Sequence, residues 1–291
     1  MTMKNIKVWT AVVTPFHEES RDIDFESYAT LLKFQEAAGN GVLLMGSTGE
    51  GQSLSDKERR EVLEYACSQK LDVPIMVSVG GINFDQSVEW VKFCNSCKID
   101  AFLLSTPSYT KPGVQGQFEW FSELMNLAQK PCMIYNNPSR AGVVIYPEVV
   151  GLLKGNANAW AMKESSGLLE SYYQYRRAND ELDIYCGEDY LMPFVVPFKV
   201  KGLVSVASNV WPKEVLRFVN ECLEGSPTRV TAEDWWEISS SLYVASNPVP
   251  TKWLLEHLGV IARAQVRVPL SINDMTKLDT LKKAHGMMGS V

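Results

Sequence analysis

The chain has 291 residues, which is enough for one large domain or two small ones. It is 46% hydrophobic and 21% charged, as ordinary soluble globular proteins are. A net charge of -6 without any basic run argues against a nucleic-acid-binding protein. The chain start lacks the apolar core of a signal peptide, and no stretch approaches the roughly 18 apolar residues of a membrane span. We expect a cytoplasmic protein that binds neither membranes nor nucleic acid.

Eight short apolar runs recur along the first 225 or so residues. They are continuous rather than alternating, which is typical of strands buried on both faces of a parallel sheet. Helical patterns separate them at intervals of about 20–35 residues, which predicts a (β/α)8 TIM barrel of the α/β class. The alternative is a doubly wound open sheet, which usually has a glycine-rich first turn that is missing here. The runs are KVWTAVVTP (7–15), GVLLMGSTGE (41–50), PIMVSVG (74–80), DAFLLSTP (100–107), PCMIYNNP (131–138), AWAMKESS (159–166), LDIYCGED (182–189) and KGLVSVASN (201–209).

Two of the intervening helices carry start signals. Ser55 followed by Glu58 predicts a capping box, and Asn83 is a second candidate cap. After residue 225 the pattern is helical to the end of the chain. We therefore divide the chain into a barrel (1–225) and a C-terminal helical extension (226–291).

Six scattered cysteines include one CxxC pair, Cys94 and Cys97, in a segment with a helical pattern. A zinc site needs a second pair of ligands, and the three histidines lie far apart in sequence. We expect reduced thiols and no metal.

Lys163 directly follows the four apolar residues 159–162 of the sixth run. Lysine is among the side chains that are least often buried without a partner. In a TIM barrel this end of the strand faces the active site. Removal from water favours the neutral amine, which attacks carbonyls and forms a Schiff base. The alternative is an ion pair with Glu164 or a side chain that reaches solvent. Because adjacent strand residues point to opposite faces, Glu164 is a poor partner.

Other polar residues end neighbouring strands. The phenol of Tyr135 could relay protons, or it could be an ordinary core tyrosine. Ser47 and Thr48, in GSTG, could bind a carboxylate. Arg140, on a predicted loop, could bind a second carboxylate or lie in solvent. At the strand ends of one barrel these residues would form a single pocket.

With these motifs the chain resembles the dihydrodipicolinate synthase / N-acetylneuraminate lyase family of Schiff-base aldolases. The resemblance covers nearly the whole chain, through AVVTPF, GSTGE, TPSYTKP, YNNPSRAG, KESSG, SVASN and NPVPTKW. It implies a barrel with a C-terminal helical extension, and an imine on a lysine in place of a cofactor.

Two residues favour the synthase branch of the family. Arg140 after the YNxP turn and Glu164 after the lysine resemble that branch, which condenses pyruvate with L-aspartate 4-semialdehyde on the route to diaminopimelate and lysine. The alternatives are a sister Schiff-base aldolase, such as an N-acetylneuraminate lyase or a lyase or dehydratase of keto-deoxy sugar acids, and a non-catalytic member that binds a keto acid. A metal-dependent barrel aldolase is disfavoured by the scarcity of histidine.

The resemblance also implies a role for each site residue. Lys163 forms the imine with pyruvate, and Tyr135 and Ser47 relay protons. Tyr109 crosses an interface to complete the relay of a neighbouring subunit, which implies a homo-oligomer, with a tetramer built as a dimer of dimers as the family norm. The residues implied in binding are Thr48 for the pyruvate carboxylate, Arg140 for the carboxylate of the semialdehyde, and Gly187 and Val204 for the pocket lining.

The positions that bind inhibitory lysine in regulated members differ in this chain. They hold Asp56 and Arg59, Ser87 where a glutamate would be, and Ser108 where an aromatic would be; only Asn83 remains. Without the carboxylate that would pair with an ammonium, we expect weak or absent feedback inhibition by lysine.

Overall fold

The computed structural model describes residues 3–289, without the side chain of Lys4. Eight parallel strands in this range form a closed barrel in sequence order, and β8 pairs with β1. This confirms the predicted TIM barrel and excludes the open sheet. The strands are β1 (Val8–Ala11), β2 (Gly41–Leu44), β3 (Ile75–Val79), β4 (Ala101–Ser105), β5 (Cys132–Asn136), β6 (Ala159–Glu164), β7 (Asp183–Cys186) and β8 (Gly202–Ser205).

Helices alternate with the strands and continue beyond them. The described helices are α1 (Phe25–Ala38), α2 (Asp56–Ser68), α3 (Phe84–Asn95), α4 (Val114–Leu127), α5 (Pro138–Ala141), α6 (Pro147–Leu152), α7 (Leu169–Ala178), α8 (Met192–Val195), α9 (Pro212–Glu224), α10 (Ala232–Ser240), α11 (Val249–His257) and α12 (Leu278–Gly289). Both predicted start signals are confirmed: Ser55 and Glu58 form the capping box of α2, and the Asn83 side chain caps α3. None of these helices is long and apolar enough to cross a membrane.

The strands bury side chains on both faces, as their continuous apolar runs predicted. One cluster of mostly aromatic and aliphatic residues fills the inside of the barrel, and it includes Trp9, Met133, Ala161 and Tyr185. A larger cluster joins the outer faces of the strands to the helices. Side chains alternate along a strand, so the residues two positions beyond Met133 on β5 and beyond Ala161 on β6 also face inward. These residues are Tyr135 and Lys163.

The C-terminal helices pack against the barrel. The Trp235 indole on α10 stacks on Phe218 of α9 at 3.9 Å between ring centroids and donates a hydrogen bond to the carbonyl of Asp189 at 2.7 Å. The predicted boundary falls at Gly225, which ends α9 in the left-handed conformation (φ +68°). The division of the chain into two domains there stays a prediction.

The CxxC pair lies at the end of α3. Cys94 is inside the helix and buried, whereas Cys97 lies two residues beyond its last residue. All six cysteines are free thiols. Burial raises the pKa of the Cys94 thiol, which keeps it protonated at neutral pH.

Candidate active site

Lys163 and Tyr135 lie side by side at the carboxyl ends of β6 and β5. They are register partners across the two strands, two residues beyond the inward-facing Ala161 and Met133. The Lys163 side chain is 6% exposed, and its Nζ lies 4.5 Å from the centroid of the Tyr135 ring. Within residues 3–289 its ammonium makes no ion pair and no hydrogen bond. A largely buried amine next to a phenol, without a neutralising partner, is suited to nucleophilic catalysis.

Glu164 points away from Lys163, as strand alternation predicted. Its carboxylate accepts hydrogen bonds from Asn136 Nδ2 and from the Ser166 backbone N–H, both at 2.7 Å. Burial raises the pKa of Glu164, and these two hydrogen bonds oppose the rise. Asn136 in turn accepts from the N–H of Ile145 at 2.9 Å. Glu164 therefore belongs to a closed buried network outside the barrel and is not the counter-ion of the lysine.

The Tyr135 hydroxyl is held by Asn137, which the sequence analysis did not single out. Asn137 Nδ2 donates to the hydroxyl at 2.9 Å, while its Oδ1 accepts from the Ser139 hydroxyl and from the Arg140 N–H. Asn137 thereby caps α5, which is a short helix where a loop was predicted. Pro138 at its first helical position favours this start. One amide thus fixes both the phenol and the segment that carries Arg140.

The GSTGE segment forms a closed turn after β2. The N–H of Gly51 donates to the carbonyl of Gly46 at 3.2 Å. A Cβ at position 51 would lie 1.9 Å from the carbonyl oxygen of Met45, so only glycine fits there. Thr48 is buried in this turn, and its Oγ1 accepts from Asn247 Nδ2 at 2.9 Å. Asn247 comes from the C-terminal extension and is a second residue that the sequence analysis missed.

A cavity of about 440 Å³ opens at these strand ends. Three of the predicted site residues, Ser47, Tyr135 and Arg140, line it together. Asn137, Ser246 and Asn247 line it as well, so the C-terminal extension forms part of its wall. Lys163 and Thr48 do not line the cavity themselves. Lys163 contacts Tyr135, and Thr48 contacts Asn247, and both of these partners line the cavity.

Gly187 directly follows β7, and Val204 lies within β8. A Cβ at position 187 would lie 2.9 Å from Cε of Lys163 and 1.8 Å from Oγ of Ser165, so glycine leaves room for the lysine side chain. Val204 on β8 is fully buried in the inner cluster and is paired with Trp9. Neither residue lines the cavity.

Tyr109 lies outside the cavity of its own chain. Its side chain is 86% exposed, and its backbone is left-handed at φ +72°, which is uncommon for a residue with a large side chain. The N–H of Tyr109 donates to the carbonyl of Ala141 at 3.2 Å and ties the loop to α5. The predicted role of Tyr109 in a neighbouring subunit stays a prediction.

Two carboxyl groups follow Gly187. Burial raises the pKa of Glu188 to about 7, and the nearby charge of Lys163 opposes the rise. Asp189 is fully buried and accepts from the Ser205 hydroxyl at 2.5 Å and from the N–H of Val206 at 2.9 Å. The run LDIYCGED contains both residues, but nothing in it indicates which carboxyl group is hydrogen-bonded to the end of β8.

Known proteins of similar sequence match nearly the whole chain. A 4-hydroxy-tetrahydrodipicolinate synthase of Wolbachia pipientis subsp. Culex pipiens (strain wPip) is 42% identical over 286 residues, which cover 98% of this chain and 97% of that protein. The enzyme of the same name from Chlamydia caviae is 40% identical over 276 residues, covering 95% and 94%.

Solved structures of such synthases have the same fold. The synthase of Methylacidiphilum fumariolicum SolV matches with a TM-score of 0.92 at 29% identity, over 98% of this chain and 96% of that one. The enzyme of Cyanidioschyzon merolae, solved with lysine bound, matches with a TM-score of 0.92 at 28% identity over the full length of both chains. A family model described as the dihydrodipicolinate synthetase family matches residues 4–285. The chain therefore belongs to the dihydrodipicolinate synthetase family.

Proposed function

We propose that this enzyme condenses pyruvate with L-aspartate 4-semialdehyde to 4-hydroxy-tetrahydrodipicolinate, on the route to diaminopimelate and lysine. The activity is that of relatives about 40% identical over nearly the whole chain. The observation that carries the chemistry is the inward-facing pair of Lys163 and Tyr135, with an amine that has no counter-ion within 4 Å among the described residues.

The Lys163 amine attacks C2 of pyruvate, and loss of water leaves an imine. The imine withdraws electrons from the methyl group, which gives up a proton and becomes an enamine. The enamine carbon then forms a bond to the aldehyde carbon of the second substrate, whose oxygen takes up a proton and becomes the hydroxyl. The amino group of the second substrate finally attacks the imine carbon and displaces the Lys163 amine, which closes the ring and frees the enzyme. No metal or separate cofactor is required in this scheme, because the imine itself is the electron sink.

Proton transfer requires a hydroxyl near the imine carbon. Tyr135 is adjacent to Lys163, and its oxygen accepts from Asn137, which leaves the phenol proton free to be donated. Ser47, on the wall of the same cavity, supplies the second hydroxyl of the relay. Tyr109 of a partner subunit supplies the third.

The two carboxylates of the substrates bind at different places. Because Thr48 Oγ1 accepts from Asn247, the Thr48 hydroxyl proton is available to the pyruvate carboxylate. The exposed guanidinium of Arg140 on the cavity wall binds the carboxylate of the semialdehyde. Gly187 and Val204 contribute backbone groups around the imine.

The assembly that fits this scheme is a homotetramer built as a dimer of dimers. An 86% exposed Tyr109 supports one interface. Large apolar side chains that are exposed just before and on α7, on α8 and on α10 support a second, because exposed apolar surface often marks an interaction site. These residues are Leu168, Leu169, Tyr173, Phe194 and Trp236. A cytoplasmic location is supported by the six free thiols.

Turnover with two competing aldehydes tests the proposal. We expect pyruvate to be consumed with L-aspartate 4-semialdehyde and not with N-acetylmannosamine. We expect the Arg140→Leu variant to raise KM for the semialdehyde by about tenfold or more while KM for pyruvate is kept, since a bidentate charged contact is lost. Consumption with the sugar alone would identify a sister aldolase, and no consumption with either would indicate a non-catalytic keto-acid-binding member.

A further inference from the structure

Glu50 and Lys252 form a buried ion pair between the active-site turn and the C-terminal extension. Glu50 ends the GSTGE turn, and Lys252 lies on α11, about 200 residues later. Their side chains are 1% and 0% exposed, and Lys252 Nζ donates directly to Glu50 Oε1. No other ion pair within residues 3–289 is buried on both sides to this extent.

Both charges of the pair have further partners in the extension. The N–H of Arg267 donates to Glu50 Oε2 at 2.8 Å. Lys252 Nζ donates to the carbonyl of Gln265 at 2.7 Å and lies 4.2 Å from the centroid of the Phe16 ring. Burial lowers the pKa of Lys252, and the charge of Glu50 opposes this change. The carboxylate is thereby held by two segments of the extension, α11 and the residues around 267.

These contacts act on the part of the turn that carries the pyruvate-binding residues. Glu50 has left-handed backbone dihedrals (φ +53°), which are uncommon outside glycine and need support from their surroundings. Its N–H donates to the carbonyl of Ser47 at 3.2 Å. Asn247, five residues before Lys252, donates to Thr48. The extension therefore reaches both ends of the segment from Thr48 to Glu50.

We propose that Glu50 and Lys252 are positioning residues for pyruvate: the pair holds the GSTGE turn so that Ser47 and Thr48 stand at a fixed place relative to Lys163. The inference rests on the proposed function, because it takes pyruvate as the ligand of Thr48. It gives the C-terminal extension a part in substrate binding beyond its packing on the barrel.

Stability alone is a poor explanation of the pair. A buried ion pair is often no more stabilising than apolar residues of similar volume, whereas removal of one partner leaves an unpaired buried charge. A charged and directional contact does, however, fix the distance and orientation of the two segments that it joins. A neutral replacement of both partners therefore separates the two roles.

The test uses the full-length enzyme with the double substitution Glu50→Gln and Lys252→Met. We expect this variant to fold, with a melting temperature close to that of the wild type. We expect its KM for pyruvate to rise by about tenfold or more, because misplacing a positioned group by about 1 Å can cost about a hundredfold. KM for L-aspartate 4-semialdehyde stays unchanged, because Arg140 lies on α5 and does not depend on the turn.

Glu58→Gln is the matched control. Glu58 accepts from the Arg267 side chain at 2.5 Å but does not contact the GSTGE turn, so this variant loses stability and keeps both KM values. Should the double variant fail to fold, Glu50→Gln with Lys252→Gln serves the same comparison, since it also removes both charges and keeps polar side chains for the Arg267 N–H and the Gln265 carbonyl.

A pyruvate KM within about twofold of the wild type in the folded variant would overturn the inference. Failure of the proposed function gives a different result, and it is seen in the wild type. A sister aldolase would not consume pyruvate with L-aspartate 4-semialdehyde, and a chain that does not bind pyruvate as an imine would give no borohydride adduct on Lys163.

Discussion

Asn136 Nδ2 donates a hydrogen bond to the Glu164 carboxylate at 2.7 Å on the outside of the barrel. These two residues are register partners on β5 and β6, and the preceding pair of register partners is Tyr135 and Lys163, which face the inside. Both outer side chains are fully buried. The outer pair therefore fixes the relative register of the two strands that carry the phenol and the amine. A substitution in the outer pair should therefore shift Tyr135 and Lys163 relative to each other, although neither of these two residues is replaced.

Glu164→Gln is expected to lower both stability and activity. The introduced amide can still accept from the Ser166 N–H, but its NH₂ then faces the NH₂ of Asn136, which must itself keep its oxygen towards the Ile145 N–H. We expect a loss of about 1–3 kcal/mol in the free energy of unfolding, measured by urea denaturation, from the buried donors left unpaired. The rate of borohydride trapping with pyruvate should fall as well.

The double variant Asn136→Asp with Glu164→Gln is the control. The carboxylate introduced at position 136 accepts from the Ile145 N–H and from the NH₂ of the amide introduced at position 164. Every hydrogen bond of the network is thereby restored, and the negative charge moves from position 164 to position 136. Stability and trapping rate should return towards the wild type. Equal loss in the single and double variants would contradict the register role.

Stability in acid should depend on Glu58. The hydrogen bond from Arg267 lowers the pKa of Glu58 from 4.5 to about 2. A carboxyl with a lowered folded-state pKa stabilises the fold above the unfolded value of 4.5, and this contribution is lost as the pH falls from 4.5 towards 2. Glu58→Gln should therefore be less stable than the wild type at pH 7, and the gap should narrow below pH 4.5. Urea denaturation of both proteins between pH 7 and pH 3 measures this difference in the free energy of unfolding. A difference that does not change with pH would contradict the prediction.

Glu188 should act on stability with the opposite sign. Burial raises its pKa from 4.5 to about 7, so between these values the unfolded chain has lost a proton that the folded chain keeps. Folding stability therefore falls as the pH rises from 4.5 to 7. Glu188→Gln should match the wild type below pH 4.5 and exceed it in stability above pH 7. The same stability difference at pH 4 and pH 8 would show that the carboxyl does not titrate in this range.

Lysine should inhibit this enzyme weakly or not at all. The Asn83 side chain, the one polar group kept from regulated members, accepts the cap hydrogen bond from Gln86. The Arg59 guanidinium lies 4.2 Å from the centroid of the Trp90 ring, and the Ser87 hydroxyl donates to the backbone of Asn83. None of these side chains offers a carboxylate to an ammonium. Initial rates measured against lysine should stay above half of the uninhibited rate at 1 mM, and half-inhibition below that concentration would contradict the expectation.

The sequence predicted the barrel correctly, because its strands depend on local patterns, and three of the candidate site residues line the cavity. Continuous apolar runs marked the strands; Tyr135 lies near the end of β5, and Ser47 and Arg140 follow the ends of β2 and β5. The runs overestimate strand length: KGLVSVASN continues four residues past the end of β8, because Ala207–Asn209 form a buried 3-10 turn. The apolar character of a segment therefore predicts that it is buried better than it predicts the residue at which strand pairing ends.

The contacts of the C-terminal extension with the site could not be predicted. Asn247 and Lys252 lie in NPVPTKW, which marked the family, but their partners Thr48 and Glu50 are about 200 residues away. No periodicity relates positions so distant, because the contact depends on how α11 docks on the barrel. Asn137 was equally hidden, since an asparagine after a strand has many ordinary roles in turns.

The most direct test of the central claim is borohydride reduction of the wild-type enzyme in the presence of pyruvate, followed by peptide mass mapping. Reduction of an imine between pyruvate and the lysine amine would leave a stable secondary amine on the peptide that contains Lys163. We predict one adduct per chain at that residue, loss of activity in proportion to it, and no adduct in the Lys163→Arg variant. An enzyme that turns over with no adduct at Lys163, or with the adduct on another lysine, would contradict the account.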